Sequence, residues 1–300
     1  MNTNEALRRS VTERERSAGT YFSVLIIAML VVSVAVSACL LPLGDSALSS
    51  DWYKYLSFSL GGVTILLVTV GFSVYQKKPI MEYCGYKKTE LKYYLLAGGL
   101  FVSVFFGLAN LNNLFIDFLA DSFGYSPSMV ELPRLTPANY VLVILTLCIL
   151  PAVTEEIALR SVVQSGILSG NIIVNALIGG LLFALFHMNP AQTPYQFAVG
   201  FCFSLLSAKS KSTLPTTLAH FLNNLAVVTV EYFFPTLFTV GGWVTTAFTV
   251  LGVVCLVGII ALIIIDRSEK QEKGSLKVFF TCGLAGIVAC ALMWILNFAV

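Results

Sequence analysis

A charged stretch interrupts the apolar run that starts at Pro137: the sequence TEEIALR, at residues 154–160. The neighbouring residues are apolar enough to lie in a lipid bilayer, but this stretch adds the carboxylates of Glu155 and Glu156 and the guanidinium of Arg160. Charged side chains at membrane depth are costly, and where they occur they typically mark a functional site. We therefore expect this stretch to carry chemistry. The alternative is that both glutamates lie at the membrane surface and only end the helix.

The composition of the whole chain is that of a polytopic membrane protein. Hydrophobic residues make up 57% of the 300 positions and charged residues 11%, and the mean hydropathy is +0.85. These values exclude an ordinary soluble domain. The chain contains eight or nine apolar runs of spanning length and no alternating barrel pattern. The sequence therefore predicts an all-α fold, a polytopic transmembrane bundle of eight or nine helices.

The predicted spans follow one another with short connections. They are 21–43, 55–75, 93–116, 137–159, 172–188, 194–208, 214–234, 243–265 and 278–298. The sixth is shorter than a bilayer requires. The longest loop, 117–135, contains Gly124, Pro127 and Pro133, which argue against regular structure there.

Basic residues indicate how the chain lies across the membrane. They concentrate at 1–20 and in the loops at 77–92, 209–211 and 267–277, which share one side if all nine runs cross. The positive-inside rule then predicts a cytoplasmic N-terminus. Since no internal repeat or long linker is visible, we expect a cytoplasmic N-terminal tail at 1–20 and a single membrane domain at 21–300. The seven cysteines show no metal-ligand spacing, and nothing suggests a nucleic-acid partner.

The charged residues of the opening stretch divide into a pair and a single carboxylate. Glu156 and Arg160 are four residues apart, so on a helix they share a face and can form an ion pair. Glu155 is left without that partner and could exchange a proton with water. Pro151 removes the backbone hydrogen bond to Leu147, which favours a kink and an entry for water.

Both histidines of the chain, His187 and His220, lie in apolar runs. A single histidine there is more often a packing residue, but two of them together with the glutamates favour a site. Counted from a turn near Ser169 at ~1.5 Å per residue, Glu155 is about 21 Å deep and His187 about 27 Å. On the seventh run, counted from the next cytoplasmic turn near Ser212, His220 is about 12 Å deep and Asn224 about 18 Å. All four side chains can therefore meet in a cavity open to the cytoplasm if the helices tilt.

Such a cavity suits hydrolysis by water. Glu155 would take a proton from the water, and His187 would help to hold it. His220 and Asn224 would donate hydrogen bonds to the oxyanion that forms at a carbonyl. No Gly-x-Ser-x-Gly motif surrounds a serine, so a covalent mechanism is not favoured.

Three motifs in this order resemble those of a known family. They are EExxxR at 155–160, FxxxH at 183–187 and HxxxN at 220–224. The pattern is similar to that of the CAAX-processing and bacteriocin-processing (CPBP, or Abi) intramembrane endopeptidases, which include the type II CAAX prenyl endopeptidases. The similarity covers a predicted catalytic core at 137–234, while the flanking spans show no recognisable match.

The resemblance implies a role for each motif residue: Glu155 as general base, Glu156 with Arg160 as supporting ion pair, His187 as partner of the water or of a metal, and His220 with Asn224 as oxyanion donors. It also implies an integral multi-pass protein of a bacterial plasma membrane. The partners would be the lipid bilayer and a membrane-associated peptide or protein substrate, such as a prenylated CAAX protein, a bacteriocin or a peptide signal.

Cofactor use is left open by the sequence. Glu155, His187 and His220 could hold zinc or another divalent metal with one open position. The contiguous His-Glu-x-x-His of soluble zinc proteases is absent, and a metal-free glutamate mechanism needs only the same residues.

Two other classes of function compete with the endopeptidase. A non-catalytic membrane scaffold or bacteriocin self-immunity protein could retain the motifs without using them. A transporter could use the intramembrane charges as a relay, although the chain lacks the visible repeats of many transporters.

Overall fold

The computed structural model describes residues 3–127, 131–237, 242–266 and 271–299. Residues 1–2, 128–130, 238–241, 267–270 and 300 lie outside the description, and they include parts of the predicted tail and of the predicted loops 117–135 and 267–277. Over the described ranges the fold is all-helical and contains no strand, which confirms the predicted class. Within the same ranges, an isolated bridge joins Ser169 to Lys273.

Twelve α-helices follow one another in the described part of the chain. They are α1 Thr3–Leu40, α2 Asp45–Leu48, α3 Asp51–Gln76, α4 Ile80–Cys84, α5 Leu91–Phe123, α6 Tyr140–Val143, α7 Leu150–Glu155, α8 Ile172–Phe186, α9 Thr193–Ser210, α10 Leu214–Phe233, α11 Trp243–Ile265 and α12 Lys277–Ala299. Short 3-10 turns lie at Leu41–Leu43 and Pro190–Gln192.

Six helical segments in the described ranges are long and apolar enough to cross a membrane. They are Arg8–Leu43, Asp51–Gln76, Leu91–Phe123, Tyr140–Gly166, Trp243–Ile265 and Lys277–Ala299. The chain is therefore an integral membrane protein. The predicted fifth, sixth and seventh spans are helical as α8, α9 and α10 but are not among these six. The helix α8 has only 15 residues, and α9 and α10 carry many hydroxyl and amide side chains.

Two helices extend further than the sequence suggested. The predicted tail is helical from Thr3 and continuous with the first span. Its buried Glu15 accepts a hydrogen bond at 2.9 Å from the backbone N–H of Leu276, which ties it to the segment before α12. The predicted loop 117–135 is helical up to Phe123, where Gly124 ends α5 with a φ of +68°. Glycine adopts this left-handed conformation without strain.

The helices α8 and α9 form a closely packed pair beside the charged stretch. An added Cβ at Gly200 would lie 2.8 Å from Cβ of Phe183 and 2.9 Å from Cα of Gly180. Such an approach is open only to small residues. It brings the middle of α9 against the end of α8 that carries Phe183, one turn before His187.

Candidate active site

The helix that carries the charged stretch changes its winding on both sides of Pro151. Its first turns form α6, Ile144–Ile149 is π-helical, α7 follows, and Glu156–Val163 is π-helical again. Proline cannot donate a backbone hydrogen bond, and π-helical turns are frequent at functional sites. Glu155 is the last residue of α7, so it stands at the junction of an α-helical and a π-helical segment.

Glu156 and Arg160 form an ion pair in the interior of the protein. The Nε atom of Arg160 lies 3.5 Å from Oε2 of Glu156, and the two side chains are 1% and 0% exposed. The guanidinium also stands over the ring of Phe183, 4.4 Å from its centroid, and lies 5.8 Å from that of Phe203. A cation over aromatic rings is attracted to their electron-rich faces. The charge is therefore compensated from two directions.

The pair is connected to the first turns of α10 through His220. The Nδ1 atom of His220 lies 3.1 Å from Oε1 of Glu156, within hydrogen-bond distance. A carboxylate can only accept, so Nδ1 carries the proton that it donates. In the neutral imidazole, Nε2 then presents a lone pair.

His187 lies directly after α8, not within a helix as expected. The helix ends at Phe186, and Met188 takes a positive φ of 50°. The Nδ1 atom of His187 is 2.8 Å from the backbone carbonyl oxygen of Phe183. Because a carbonyl only accepts, Nδ1 donates, and Nε2 of neutral His187 also presents a lone pair.

Glu155 lies between the two imidazoles. Its Oε2 atom is 3.8 Å from Nε2 of His187 and 3.9 Å from Nε2 of His220. These separations are too long for a direct hydrogen bond, and Oε2 is buried without a hydrogen-bond partner in the described part of the chain. The side chains of Glu155, His187 and His220 are 15%, 19% and 8% exposed, although the Oε2 atom itself is buried. A water that bridges Oε2 and either imidazole would have to enter the space between these atoms.

Five of the six predicted site residues are thus brought together: Glu155, Glu156, Arg160, His187 and His220. Asn224 is one helical turn after His220 on α10 and partly exposed. No hydrogen bond or ion pair joins it to the other five among the described residues.

Two further polar contacts near the site were not predicted. Asn223 is buried, and its Oδ1 atom accepts a 2.8 Å hydrogen bond from the hydroxyl of Tyr195 on α9. The only feature of the sequence that could have indicated this contact is the adjacent pair of Asn223 and Asn224. Tyr86 lies in the loop between α4 and α5, where burial raises the pKa of its phenol and the charge of Glu156 adds to the effect.

The donor set has the chemistry of a metal site but not its spacing. Two imidazole Nε2 atoms and a carboxylate, with both Nδ1 atoms hydrogen-bonded, are typical of catalytic zinc. A tetrahedral zinc ion with ligands at about 2.0–2.1 Å holds their atoms about 3.4 Å apart. Glu155 is further than that from both histidines, and no His, Cys, Asp and Glu side chains in the described ranges are grouped to hold a metal.

One segment of the chain is similar to a known protein family. Residues 137–226 match the family model described as Type II CAAX prenyl endopeptidase Rce1-like. The matched segment contains all three motifs and both histidines. The resemblance to the type II CAAX prenyl endopeptidases is thereby confirmed over this segment, and the match indicates a protease family. Searches of curated proteins and of solved structures returned no match.

Proposed function

We propose that this chain, an integral membrane protein with an Rce1-like segment at 137–226, is an intramembrane endopeptidase. It would hydrolyse a peptide bond of a membrane-associated substrate with a water activated by Glu155. The observation that carries this proposal is the position of Glu155 Oε2, which is buried, has no hydrogen-bond partner among the described residues, and lies 3.8 and 3.9 Å from the Nε2 atoms of His187 and His220.

The reaction begins with a water held between Glu155 and His187. The water donates one hydrogen to Oε2 of Glu155 and the other to the Nε2 lone pair of His187, which leaves an oxygen lone pair for attack on the carbonyl carbon. Glu155 takes the proton as the new bond forms and later delivers it to the leaving amine. The backbone carbonyl of Phe183 holds His187 in the tautomer that this step needs.

The oxyanion of the tetrahedral intermediate needs donors. The amide of Asn224 can supply one. Nε2 of His220 supplies a second only when that imidazole carries both protons, because Nδ1 already donates to Glu156. The ion pair of Glu156 and Arg160 keeps the acceptor of that Nδ1 proton ionised. His220 therefore acts with its buried carboxylate partner as a unit.

The wider setting is also part of the proposal. Nine crossings, including α8, α9 and α10, with the N-terminus in the cytoplasm would place Glu155 at a cavity reached from the cytoplasm. The substrate class would be a membrane-associated peptide or protein, such as a prenylated CAAX protein, a bacteriocin or a peptide signal. The location would be a bacterial plasma membrane.

The test is cleavage of membrane-tethered reporter peptides by the purified protein in proteoliposomes. The panel contains a prenylated CAAX peptide, the same peptide without the lipid and a hydrophobic signal-type peptide. We expect Glu155→Gln to lower kcat/KM by about 10²–10⁴, the usual contribution of a general base. The matched control is Glu231→Gln, which removes an exposed carboxylate from α10. Full activity of Glu155→Gln would overturn the mechanism.

The same substitution separates the enzyme from a non-catalytic scaffold or self-immunity protein. A scaffold would bind its partner equally well with Gln at position 155, because the amide keeps the size of the side chain. An enzyme would lose its effect in cells while it keeps its expression level and its melting temperature.

A further inference from the structure

The turn that follows His187 is fastened to α12, a helix outside the Rce1-like segment 137–226. This turn, at 188–193, leads from α8 into α9. Two side chains of α12, Trp294 and Asn297, are three residues apart and therefore lie on the same side of the helix. Each of them donates a hydrogen bond to one end of the 188–193 turn.

The first of these hydrogen bonds holds Met188, the residue directly after His187. The side-chain amide of Asn297 donates to the backbone carbonyl oxygen of Met188 at 2.8 Å. The backbone N–H of Met188 donates at 2.9 Å to the carbonyl oxygen of Leu185, in the last turn of α8. Both backbone polar groups of Met188 are therefore paired, one with α8 and the other with α12.

Met188 needs this support because of its backbone conformation. Its φ of +50° lies in the left-handed region. A residue that takes this conformation at the end of a helix is usually a glycine, because other residues have a Cβ atom that crowds the backbone. Strained residues of this kind persist only where the surrounding structure holds them. The hydrogen bond from Asn297 supplies such a hold from outside α8.

The second hydrogen bond holds the other end of the turn. The indole N–H of Trp294 donates to Oγ1 of Thr193 at 2.8 Å, and that hydroxyl donates to the backbone carbonyl oxygen of Asn189 at 2.9 Å. The ring of Trp294 stacks on Phe298, with centroids 5.6 Å apart, and Phe298 stacks on Tyr125, with centroids 5.5 Å apart. Stacked rings stabilise the packing beyond the area they bury. The stack thus fixes α12 against the segment that follows α5.

We propose that Asn297 and Trp294 are positioning residues for His187. The inference rests on the proposed peptidase function, in which Nε2 of His187 helps to hold the attacking water. That nitrogen presents a lone pair because Nδ1 donates to the carbonyl oxygen of Phe183 at 2.8 Å. A turn that is held at both ends keeps the backbone of His187, and with it the imidazole, in the orientation that makes this bond. The helix α12 thereby acts on the site through His187.

The first experiment observes the imidazole of His187 directly. The chain contains two histidines, so protein labelled with ¹⁵N-histidine gives few ring signals. Solid-state NMR spectra of the full-length protein are recorded in proteoliposomes at a pH above the ordinary imidazole pKa, and His187→Gln assigns the signals. The wild type should show one tautomer of His187, with Nδ1 protonated. Asn297→Leu should give a mixture of both tautomers at His187 and leave the signals of His220 unchanged.

The second experiment measures cleavage of the reporter peptides by the same variants. Asn297→Leu should lower kcat about tenfold and leave KM within about twofold, because a misplaced catalytic group slows the chemical step more than it weakens binding. Trp294→Phe keeps a ring in the stack but removes the N–H, and it should lower kcat about twofold to fivefold. The matched control is Trp243→Phe, which removes the N–H of a tryptophan on α11 that is 82% exposed. It should change neither kcat nor the spectrum.

A glycine at position 188 tests the route from Asn297 to His187. Glycine takes a positive φ without strain. Met188→Gly combined with Asn297→Leu should therefore recover part of the single tautomer and part of kcat that Asn297→Leu alone loses. No recovery would show that Asn297 does not act through the backbone of Met188 and would contradict the proposed route.

The two measurements also separate this proposal from the peptidase function. Unchanged His187 signals in Asn297→Leu and Trp294→Phe would overturn the positioning role, and so would a lower melting temperature without a change of tautomer. A change of tautomer in a protein that cleaves no reporter would support the positioning role and refute the peptidase.

Discussion

The Nδ1 atom of His220 lies 3.1 Å from Oε1 of Glu156, a carboxylate with no exposed side-chain surface. Glu156 therefore holds two partners at once, since its other oxygen faces Arg160. The first partner lies on α10 and the second on the same helix as Glu156. The buried carboxylate of Glu156 thus links its own helix to α10 and orients the imidazole of His220. The neighbouring carboxylate of Glu155 instead faces the Nε2 atoms of His187 and His220.

This division predicts different outcomes for the two glutamates. Glu156→Gln leaves the buried guanidinium of Arg160 without a compensating charge, so we expect the free energy of unfolding to fall by about 3–5 kcal/mol. Glu155→Gln should lower it by less than about 1 kcal/mol, because that side chain has no buried charge partner at hydrogen-bond distance. Denaturation in a defined detergent measures both. Equal losses of stability in the two variants would contradict the division.

Phe183 is predicted to stabilise Arg160 through its ring face. Phe183→Leu keeps the backbone carbonyl that orients His187 but removes the aromatic surface 4.4 Å from the guanidinium. The matched control is Phe22→Leu, which truncates a fully buried phenylalanine on α1. We expect Phe183→Leu to cost about 1–2 kcal/mol more than the control, the value of a desolvated cation–π contact. Equal losses of unfolding free energy would show that only volume matters at position 183.

The hydrogen bond from Tyr195 to Asn223 is predicted to fix α9 against α10. Tyr195→Phe leaves the buried Oδ1 of Asn223 without its donor, so the unfolding free energy should fall by about 1–3 kcal/mol. Tyr53→Phe removes a hydroxyl from a partly exposed tyrosine on α3 and should be nearly neutral. Thermal melts of the two variants provide the comparison, and a neutral Tyr195→Phe would show that this contact does not hold the two helices together.

The spacing around Glu155 predicts that a chelator leaves activity intact. The protein is dialysed against a strong chelator, its metal content is determined by mass spectrometry, and cleavage of the reporter is measured before and after. We expect unchanged kcat/KM in the metal-depleted protein. Loss of activity that returns only with zinc would show that Glu155, His187 and His220 close around a metal during turnover.

Local parts of the site could be predicted because they follow from spacing on one helix. Residues four apart share a face, so the pairing of Glu156 with Arg160 needs no knowledge of the fold. The meeting of Glu155 with His187 needed only a turn between two antiparallel runs, and the chain does turn at 167–171. Depth along a helix is fixed by its rise per residue.

Other parts depended on how separate helices pack and rotate. The tautomer of His220 follows from its contact with Glu156, and no sequence pattern states which ring nitrogen faces which neighbour. The early end of α8 also escaped prediction, since an apolar run does not show that Met188 takes a positive φ. The number of spans could not be fixed for a related reason: α8, α9 and α10 form the site, and their polar or short sequences weaken the hydropathy signal.

The central claim is that Glu155 and His187 act as one unit on one water, and a double-mutant cycle tests it most directly. Glu155→Gln, His187→Gln and the combined variant are assayed for kcat/KM on the best reporter peptide, with equal folding verified by thermal melts. Residues that share one step give strongly non-additive losses. We predict that the double variant is no slower than the slower single variant. Losses that multiply, or a Glu155→Gln enzyme with full activity, would contradict the claim.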